Sequence, residues 1–119
     1  MSKTLLLVDD ETIILEIAKK KFLNLGYQVL TAVNGEEALT IVSQTRPDLI
    51  VLDIQMPKMN GYTFLIELEK RKITDIAIIV LTAFNAMEPI FKRHKVKAYL
   101  LKPLQMEKLI EKVQEVMPL

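Results

Sequence analysis

The sequence predicts an α/β fold of the (βα)5 type, an open, doubly wound sheet of five parallel strands with helices on both faces. Five short runs rich in Val, Ile and Leu recur at intervals of 21 to 28 residues. Helix-length segments with apolar residues at helical spacing separate these runs. Strands and helices that alternate in this way form parallel sheets. The chain has 119 residues, too few for the eight units of a closed barrel.

The first, third and fourth runs are continuously apolar, which is typical of strands covered on both faces. We therefore expect these three to lie in the centre of the sheet. The five predicted strands are Thr4 to Val8, Gln28 to Ala32, Leu49 to Leu52, Ala77 to Leu81 and Ala98 to Leu101.

Turn and cap residues predict where the helices begin and end. Gly26 is expected to end the first helix, Asn34 and Gly35 to open the second, and Pro118 to lie just beyond the last. These signals agree with the spacing of the apolar runs.

The first helix predicts an inward stripe made of Ile14, Ala18 and Leu25. Lys21 falls on the same stripe. We expect its aliphatic stem to lie along the edge of the core, with the amine in water.

Composition excludes several classes of protein. Sixteen basic and 15 acidic side chains give a net charge of +1, which argues against direct nucleic-acid binding. Cysteine is absent and His94 is the single histidine, so any metal must be held by oxygen. The apolar runs are far shorter than the roughly 18 residues of a membrane span. Because Met1 leads straight into the first run without a signal-peptide layout, we expect a cytoplasmic protein with no membrane insertion.

Polar side chains follow the ends of four predicted strands. Because the carboxyl ends of parallel strands meet at one edge of an open α/β sheet, these side chains should converge there. Asp48 and Asp75 precede strands and are expected to be turn or capping residues. The converging residues are Asp9 and Asp10 after the first strand, Asp53 after the third, Thr82 after the fourth and Lys102 after the fifth.

Taken singly, each of these residues has an ordinary structural interpretation as a helix cap, a turn residue or a solvated amine. Three gathered carboxylates, however, repel one another unless a cation compensates them. Oxygen-only ligands of this kind suit Mg²⁺, which binds one or two carboxylates and accepts phosphate oxygens. Lys102 would then have a phosphoryl oxygen as its partner.

Several motifs along the chain together resemble the receiver domain of two-component response regulators. The resemblance covers essentially the whole chain, so it implies one receiver domain over residues 1–119 and the strand order 2-1-3-4-5. The segments that carry it are Val8-Asp9-Asp10-Glu11, Leu52 to Gly61 (LDIQMPKMNG), Leu81-Thr82-Ala83 and Tyr99-Leu100-Leu101-Lys102-Pro103.

The resemblance implies that Asp53 accepts a phosphoryl group from a sensor histidine kinase or a histidine phosphotransfer protein. Asp10 and Asp53 would be direct Mg²⁺ ligands, Asp9 would act through water, and the backbone carbonyl of Gln55 would complete the protein ligands. Such a domain catalyses only its own phosphorylation and slow dephosphorylation, so it is not an enzyme acting on other substrates.

The resemblance also implies a switch that reports phosphorylation. Lys102 would neutralise phosphoryl charge, Thr82 would turn its hydroxyl toward the phosphoryl group, and Tyr99 would swing inward behind it. The signal would pass to a downstream protein target by direct contact. The bond between Lys102 and Pro103 is a candidate for the cis form.

The segment between Thr82 and Lys102 departs from the family pattern. It is shorter than expected and carries Pro89 early, so it predicts a short helix, Glu88 to Lys95, in a region that the family commonly uses for output. The basic residues at 92–97 suggest either an acidic partner or a solvated helix face. The small net charge favours the solvated face.

Alternatives to a complete single-domain regulator remain at this stage. The start at Met1 favours a complete regulator over a receiver excised from a longer transcription factor or hybrid kinase. An aspartate-nucleophile phosphohydrolase would resemble Asp-x-Asp after the first strand, whereas Asp9 and Asp10 are adjacent. A flavodoxin-like electron carrier would need a hydroxyl-rich phosphate loop, but the acidic residues 9–11 would repel a phosphate.

Overall fold

The computed structural model describes residues 3–56, 58–83 and 96–119. Strands and helices alternate along the chain, as the apolar runs predict. The elements are β1 (Thr4–Val8), α1 (Thr12–Asn24), β2 (Gln28–Ala32), α2 (Gly35–Gln44), β3 (Leu49–Asp53), α3 (Gly61–Lys70), β4 (Ala77–Thr82), β5 (Val96–Leu101) and α4 (Met106–Val116).

The five strands form one parallel sheet in the order β2-β1-β3-β4-β5. This confirms the predicted fold class and strand order. Every residue of β3 is buried, as expected for a central, continuously apolar strand. The register places Val8 beside Leu52, Asp53 beside Leu81 and Thr82 beside Leu101, so the strands end at nearly the same level.

Two apolar cores cover the two faces of the sheet. One core contains Phe64 and Leu65 of α3 together with the buried residues of α2. The other contains Phe22 of α1 together with Leu109 and Val113 of α4. Helices on both faces confirm the doubly wound arrangement.

The inward face of α1 differs from the predicted stripe. Leu15, Ala18 and Phe22 are its buried residues, whereas Leu25 is 39% exposed and Lys21 is exposed. The helix carries apolar residues on more than one face, so helical spacing alone fits both the predicted stripe and the face that is buried in the structure. The structure favours the one that buries the large ring of Phe22, which packs edge-to-face against Tyr27 with 5.8 Å between ring centroids.

The predicted element boundaries are close to those in the structure. Asn34 caps α2 by accepting a hydrogen bond from the Glu37 N–H at 2.9 Å, and Gly26 follows α1 with a φ of +105°. β5 begins two residues earlier than predicted, at Val96. The predicted helix at 88–95 and most of the basic segment lie outside the described residues. Of the helices that the structure describes, none is long and apolar enough to cross a membrane.

Candidate functional site

The carboxyl edge of the sheet gathers the polar residues that follow the strands. Asp53 and Thr82 are the last residues of β3 and β4, and Asp9 and Lys102 come directly after β1 and β5. The Lys102 N–H donates to the Thr82 carbonyl at 2.9 Å, which extends the pairing of β4 and β5 by one step. Strand pairing therefore brings together residues that lie up to 93 positions apart in the sequence.

The structure brings the carboxylates of Asp9, Asp10 and Asp53 into one cluster. One oxygen from each carboxylate lies within 4.8 Å of the others. Asp53 is completely buried and Asp9 is 4% exposed, whereas Asp10 is exposed to solvent. The cluster is thus buried at Asp9 and Asp53 and open to solvent at Asp10.

The two carboxylate oxygens of Asp53 have different surroundings. Oδ1 accepts hydrogen bonds from the Lys102 ammonium at 2.8 Å and from the Gln55 N–H at 3.1 Å. Oδ2 is buried and accepts no hydrogen bond from any group in the described part of the chain. A buried anionic oxygen without a donor is energetically costly, so this atom is the one to which a cation or an electrophile would be drawn.

Burial raises the pKa of both inner carboxyl groups. The pKa of Asp9 rises from its ordinary value of 3.8 to about 6, because burial outweighs the hydrogen bond from the Glu11 N–H and the charge of Asp53 adds to the rise. Burial also raises the pKa of Asp53, against the hydrogen bonds from Lys102 and Gln55. Burial is the largest cause of both shifts, so the ionised form of each inner carboxyl group is disfavoured in the folded protein.

Lys102 compensates part of the negative charge of the cluster. Burial lowers the pKa of its amine, but the hydrogen bond and the negative charge of Asp53 outweigh this effect and raise the pKa above its ordinary value. The lysine is therefore protonated at neutral pH. Three carboxylates against this ammonium leave a net negative, oxygen-lined site, which is the chemical environment that a hard divalent cation requires.

Gly61 shapes the loop that follows Asp53, and the sequence analysis assigned it no role. Its N–H donates to the Ile54 carbonyl at 2.9 Å, and a Cβ atom at Gly61 would lie 2.7 Å from the Ile54 Cα. Only glycine allows α3 to begin this close to the end of β3. The helix-start pattern Asn60-Gly61 was visible in the sequence, but the close approach required the three-dimensional structure.

Thr82 and Tyr99 occupy neighbouring strands at different depths. Thr82 is buried at the end of β4, beside the acidic cluster. Tyr99 is half-buried on β5, lies beside Val80 in the register and packs against the core under α2 and α3. Burial raises the pKa of its hydroxyl. The peptide bond between Lys102 and Pro103 is cis, as the sequence analysis anticipated.

A cavity of about 400 Å³ opens beside Asp9 and Lys102. Its walls come from α1 and from the chain that follows β5, and they include the apolar side chains of Ile14, Ile17 and Leu104. The acidic cluster therefore borders a concave, partly apolar surface rather than a flat one.

Comparison with protein-family models assigns the chain to a known family. The model described as "Response regulator receiver domain" matches residues 5–114, which include all the strand-end residues described above. The chain belongs to the response regulator receiver domain family. Receiver domains are signalling domains of two-component systems, and they interact with histidine kinases or phosphotransfer proteins.

Several relatives of known name support this assignment. The chain is 35% identical over 124 residues to the sporulation initiation phosphotransferase F of Bacillus subtilis, a match that covers 100% of this chain and 97% of that protein. It is 49% identical over 83 residues to the probable transcriptional regulator ycf27 of Cyanophora paradoxa, covering 70% of this chain and 34% of that regulator. The chain spans between 34% and 47% of the length of the ycf27 regulators that it matches first.

A solved structure with the same fold contains Mg²⁺-BeF. The response regulator TrrA from Thermotoga maritima, in complex with Mg²⁺-BeF, matches with a TM-score of 0.81 and 36% identity, covering 97% of this chain and 99% of TrrA. The predicted fold and the resemblance to receiver domains are thereby confirmed.

Proposed function

We propose that this receiver domain accepts a phosphoryl group on Asp53 from a histidine kinase or a histidine phosphotransfer protein. The observation that carries the proposal is the asymmetry of the Asp53 carboxylate. Lys102 and Gln55 hold Oδ1, whereas Oδ2 is buried without a hydrogen-bond donor among the described groups. Oδ2 is therefore the oxygen best placed to act as the nucleophile.

The proposed transfer replaces one bond to phosphorus with another. The Asp53 oxygen donates an electron pair to phosphorus, and a new O–P bond forms. The N–P bond of the donor phosphohistidine breaks, and its electron pair returns to the imidazole nitrogen. The product on this chain is an acyl phosphate, and no oxidant or reductant is required.

The residues around Asp53 fit a Mg²⁺ ion. Asp10, Asp53 and the backbone carbonyl of Gln55 would hold it directly, and Asp9 would hold it through water. Support comes from the all-oxygen donor set and from carboxylate oxygens within 4.8 Å of one another. When bound, a divalent cation offsets the carboxylate repulsion and neutralises charge on the phosphoryl oxygens.

Lys102 would supply the positive charge on the other side of the transferred group. Its ammonium lies 2.8 Å from Asp53 Oδ1, and 24% of its side chain is exposed. An ammonium already held at the nucleophile needs little rearrangement to contact a phosphoryl oxygen. We assign it the role of stabilising charge during the transfer.

Thr82 and Tyr99 would convert phosphorylation into a change of shape. The proposal requires that the phosphorylated state offer the Thr82 hydroxyl a hydrogen bond that the free state lacks. Thr82→Ala should then leave labelling of Asp53 largely intact while it abolishes the response at Tyr99. Amide spectra recorded with and without BeF₃⁻ would test this. Full movement of the Tyr99 amide signal in the Thr82→Ala protein would contradict a Thr82-dependent switch.

Labelling of Asp53 tests the central claim. The protein is incubated with Mg²⁺ and a small acyl phosphate, and its intact mass is measured. We expect a gain of one phosphoryl group in the wild type and none in Asp53→Asn. Asp48→Asn is the matched control, because Asp48 lies at the opposite edge of the sheet, and it should be labelled as fast as the wild type. Equal labelling of Asp53→Asn would refute the assignment.

We further propose that the domain passes its signal on by protein contact with a downstream target or by phosphoryl relay. The match to sporulation initiation phosphotransferase F, which covers 97% of that protein, favours phosphoryl relay. The ycf27 regulators are longer than this chain. Incubating the labelled protein with a histidine phosphotransfer protein would test relay, since the label should leave Asp53 and appear on histidine.

A further inference from the structure

Gly35, the first residue of α2, touches the loop that follows Asp53. Its N–H donates to the Met59 carbonyl at 3.1 Å. A Cβ atom at Gly35 would lie 2.6 Å from the Met59 carbonyl oxygen, 2.7 Å from its Cγ and 2.8 Å from its Cβ. Real Cβ atoms do not approach other atoms this closely, and the nearest atom belongs to the backbone. A side chain at position 35 must therefore move either α2 or the loop.

The helix is the better anchored of the two. α2 buries Ala38, Leu39 and Val42 in the core, and Asn34 caps its first turn. On the loop side, Met59 is half-buried and Lys58 is exposed, whereas Met56, nearer to Asp53, is buried in the same core. Displacing the helix would disturb core packing, whereas displacing the loop at Met59 would first move partly exposed groups. A substitution at Gly35 should therefore shift the loop.

Only a few residues separate β3 from α3, so a shift at Met59 acts on a short connection. The hydrogen bond between Gly61 and the Ile54 carbonyl closes the loop, and the Ile54 N–H is itself held by the Leu81 carbonyl at 3.0 Å. Lys58, next to Met59, has a φ of +58°, a conformation that non-glycine residues adopt only where the surroundings hold them. Gln55, whose N–H donates to the Asp53 carboxylate, lies between Ile54 and Lys58.

We propose that Gly35 is a positioning residue for the divalent-cation site. By contacting Met59 without a side chain, it sets the position of the loop that carries Gln55 and thereby the distance between the Gln55 backbone and the Asp53 carboxylate. This inference rests on the proposed function, in which the Gln55 carbonyl and the Asp53 carboxylate hold Mg²⁺. Gly35 itself touches neither the metal nor the phosphoryl group.

Magnesium titration followed by amide chemical shifts tests this role without relying on activity. Gly35→Ala should raise the dissociation constant for Mg²⁺ by roughly tenfold, the lower end of the effect of removing a group that supports metal ligands. Thr40→Ala, an exposed change on the same helix, should bind as the wild type does. Val42→Ala loosens the core under α2 about two helical turns from Gly35, so it should lower thermal stability and leave Mg²⁺ binding unchanged.

Two results would overturn the inference. The first is an unchanged Mg²⁺ affinity in Gly35→Ala, and the second is an equal loss of affinity in Val42→Ala, which would mean that general loosening is the cause. Should Gly35→Ala not fold, Met59→Gly removes the packing from the loop side and should weaken Mg²⁺ binding in the same direction. Wild-type affinity in that folded variant would refute the role of the contact.

Labelling by a small acyl phosphate, measured in parallel, separates this inference from the proposed function. In Gly35→Ala the Mg²⁺ concentration for half-maximal labelling should rise by the same factor, with the rate at saturating Mg²⁺ unchanged. If the wild type is not labelled, the proposed function fails, and the magnesium titration still decides the role of Gly35. If the wild type is labelled and both proteins respond equally to Mg²⁺, only the inference about Gly35 fails.

Discussion

Replacing Asp9 by asparagine should stabilise the protein in the absence of divalent cations. Asp9 is 4% exposed, and burial is the main cause that raises its pKa from 3.8 to about 6. At about 1.4 kcal/mol for each pKa unit, the ionised carboxylate costs the folded state on the order of 3 kcal/mol. Asparagine keeps the shape and can still accept the hydrogen bond from the Glu11 N–H, but it carries no charge.

The expected gain is smaller than this upper value and depends on pH. Burying an amide also has a cost, so we expect Asp9→Asn to raise the free energy of unfolding by about 1–3 kcal/mol at neutral pH. A carboxyl group whose pKa is raised by folding favours the folded state while it is protonated. This contribution is complete below about pH 4 and is lost as the pH rises through about 6. The advantage of the variant should therefore grow between about pH 4 and pH 6, be complete above pH 6 and vanish in acid.

Urea unfolding followed by circular dichroism, with a chelator present, measures this difference. With a slope of about 1–3 kcal/mol per molar urea, the midpoint of Asp9→Asn should lie roughly 1 M higher than that of the wild type near pH 7.5. The difference should shrink to about a third of that value near pH 4.5. Asp75→Asn is the control, because Asp75 forms an exposed ion pair with Arg46, and it should change stability by less than about 1 kcal/mol. Equal midpoints of Asp9→Asn and wild type at pH 7.5 would refute the reasoning.

Two further perturbations follow from the same structure. Lys102→Ala removes the ammonium 2.8 Å from the buried Asp53 carboxylate, so it should lower the free energy of unfolding by about 1–3 kcal/mol at neutral pH. Adding Asp53→Asn should recover most of this loss. If the changes in the free energy of unfolding were additive in the double variant, the two side chains would not be coupled. Asn34→Ala and Asn60→Ala each remove a side-chain cap from a helix, where the asparagine oxygen accepts a hydrogen bond at 2.9 and 3.0 Å. Each should lower the free energy of unfolding by about 1 kcal/mol in the same urea assay. An unchanged free energy of unfolding in either variant would mean that solvent replaces the cap.

The fold could be predicted from the sequence because its main determinants are local. The continuous apolar runs became the central strands β1, β3 and β4, and the cap at Asn34 marked the start of α2. The inward face of α1 could not be predicted in the same way. Ile13 and Ile17 are apolar yet 74% and 45% exposed, so the periodic pattern contained more apolar residues than one face buries.

The sequence was enough to predict which strand-end side chains of the candidate site converge, but not how they contact one another. The rule that parallel strands end at one edge was enough to group Asp9, Asp53 and Lys102 before any coordinates were known. The unequal surroundings of the two Asp53 oxygens and the contact of Gly35 with Met59 depend on how distant elements pack together. Such contacts leave no spacing pattern in the chain, because each joins residues whose separation is set by the lengths of intervening helices and loops.

The instability of the ionised cluster and its proposed chemistry have one physical origin. Burial disfavours the ionised forms of Asp9 and Asp53, and Asp53 Oδ2 is in addition buried without a donor among the described groups, so both features raise the free energy of the folded state. A ligand that supplies positive charge relieves this cost, and it binds more tightly by the amount relieved. Saturating Mg²⁺ should therefore stabilise the wild type more than Asp9→Asn and reduce the difference between their free energies of unfolding. A difference that stays constant as Mg²⁺ is added would place the cation away from Asp9.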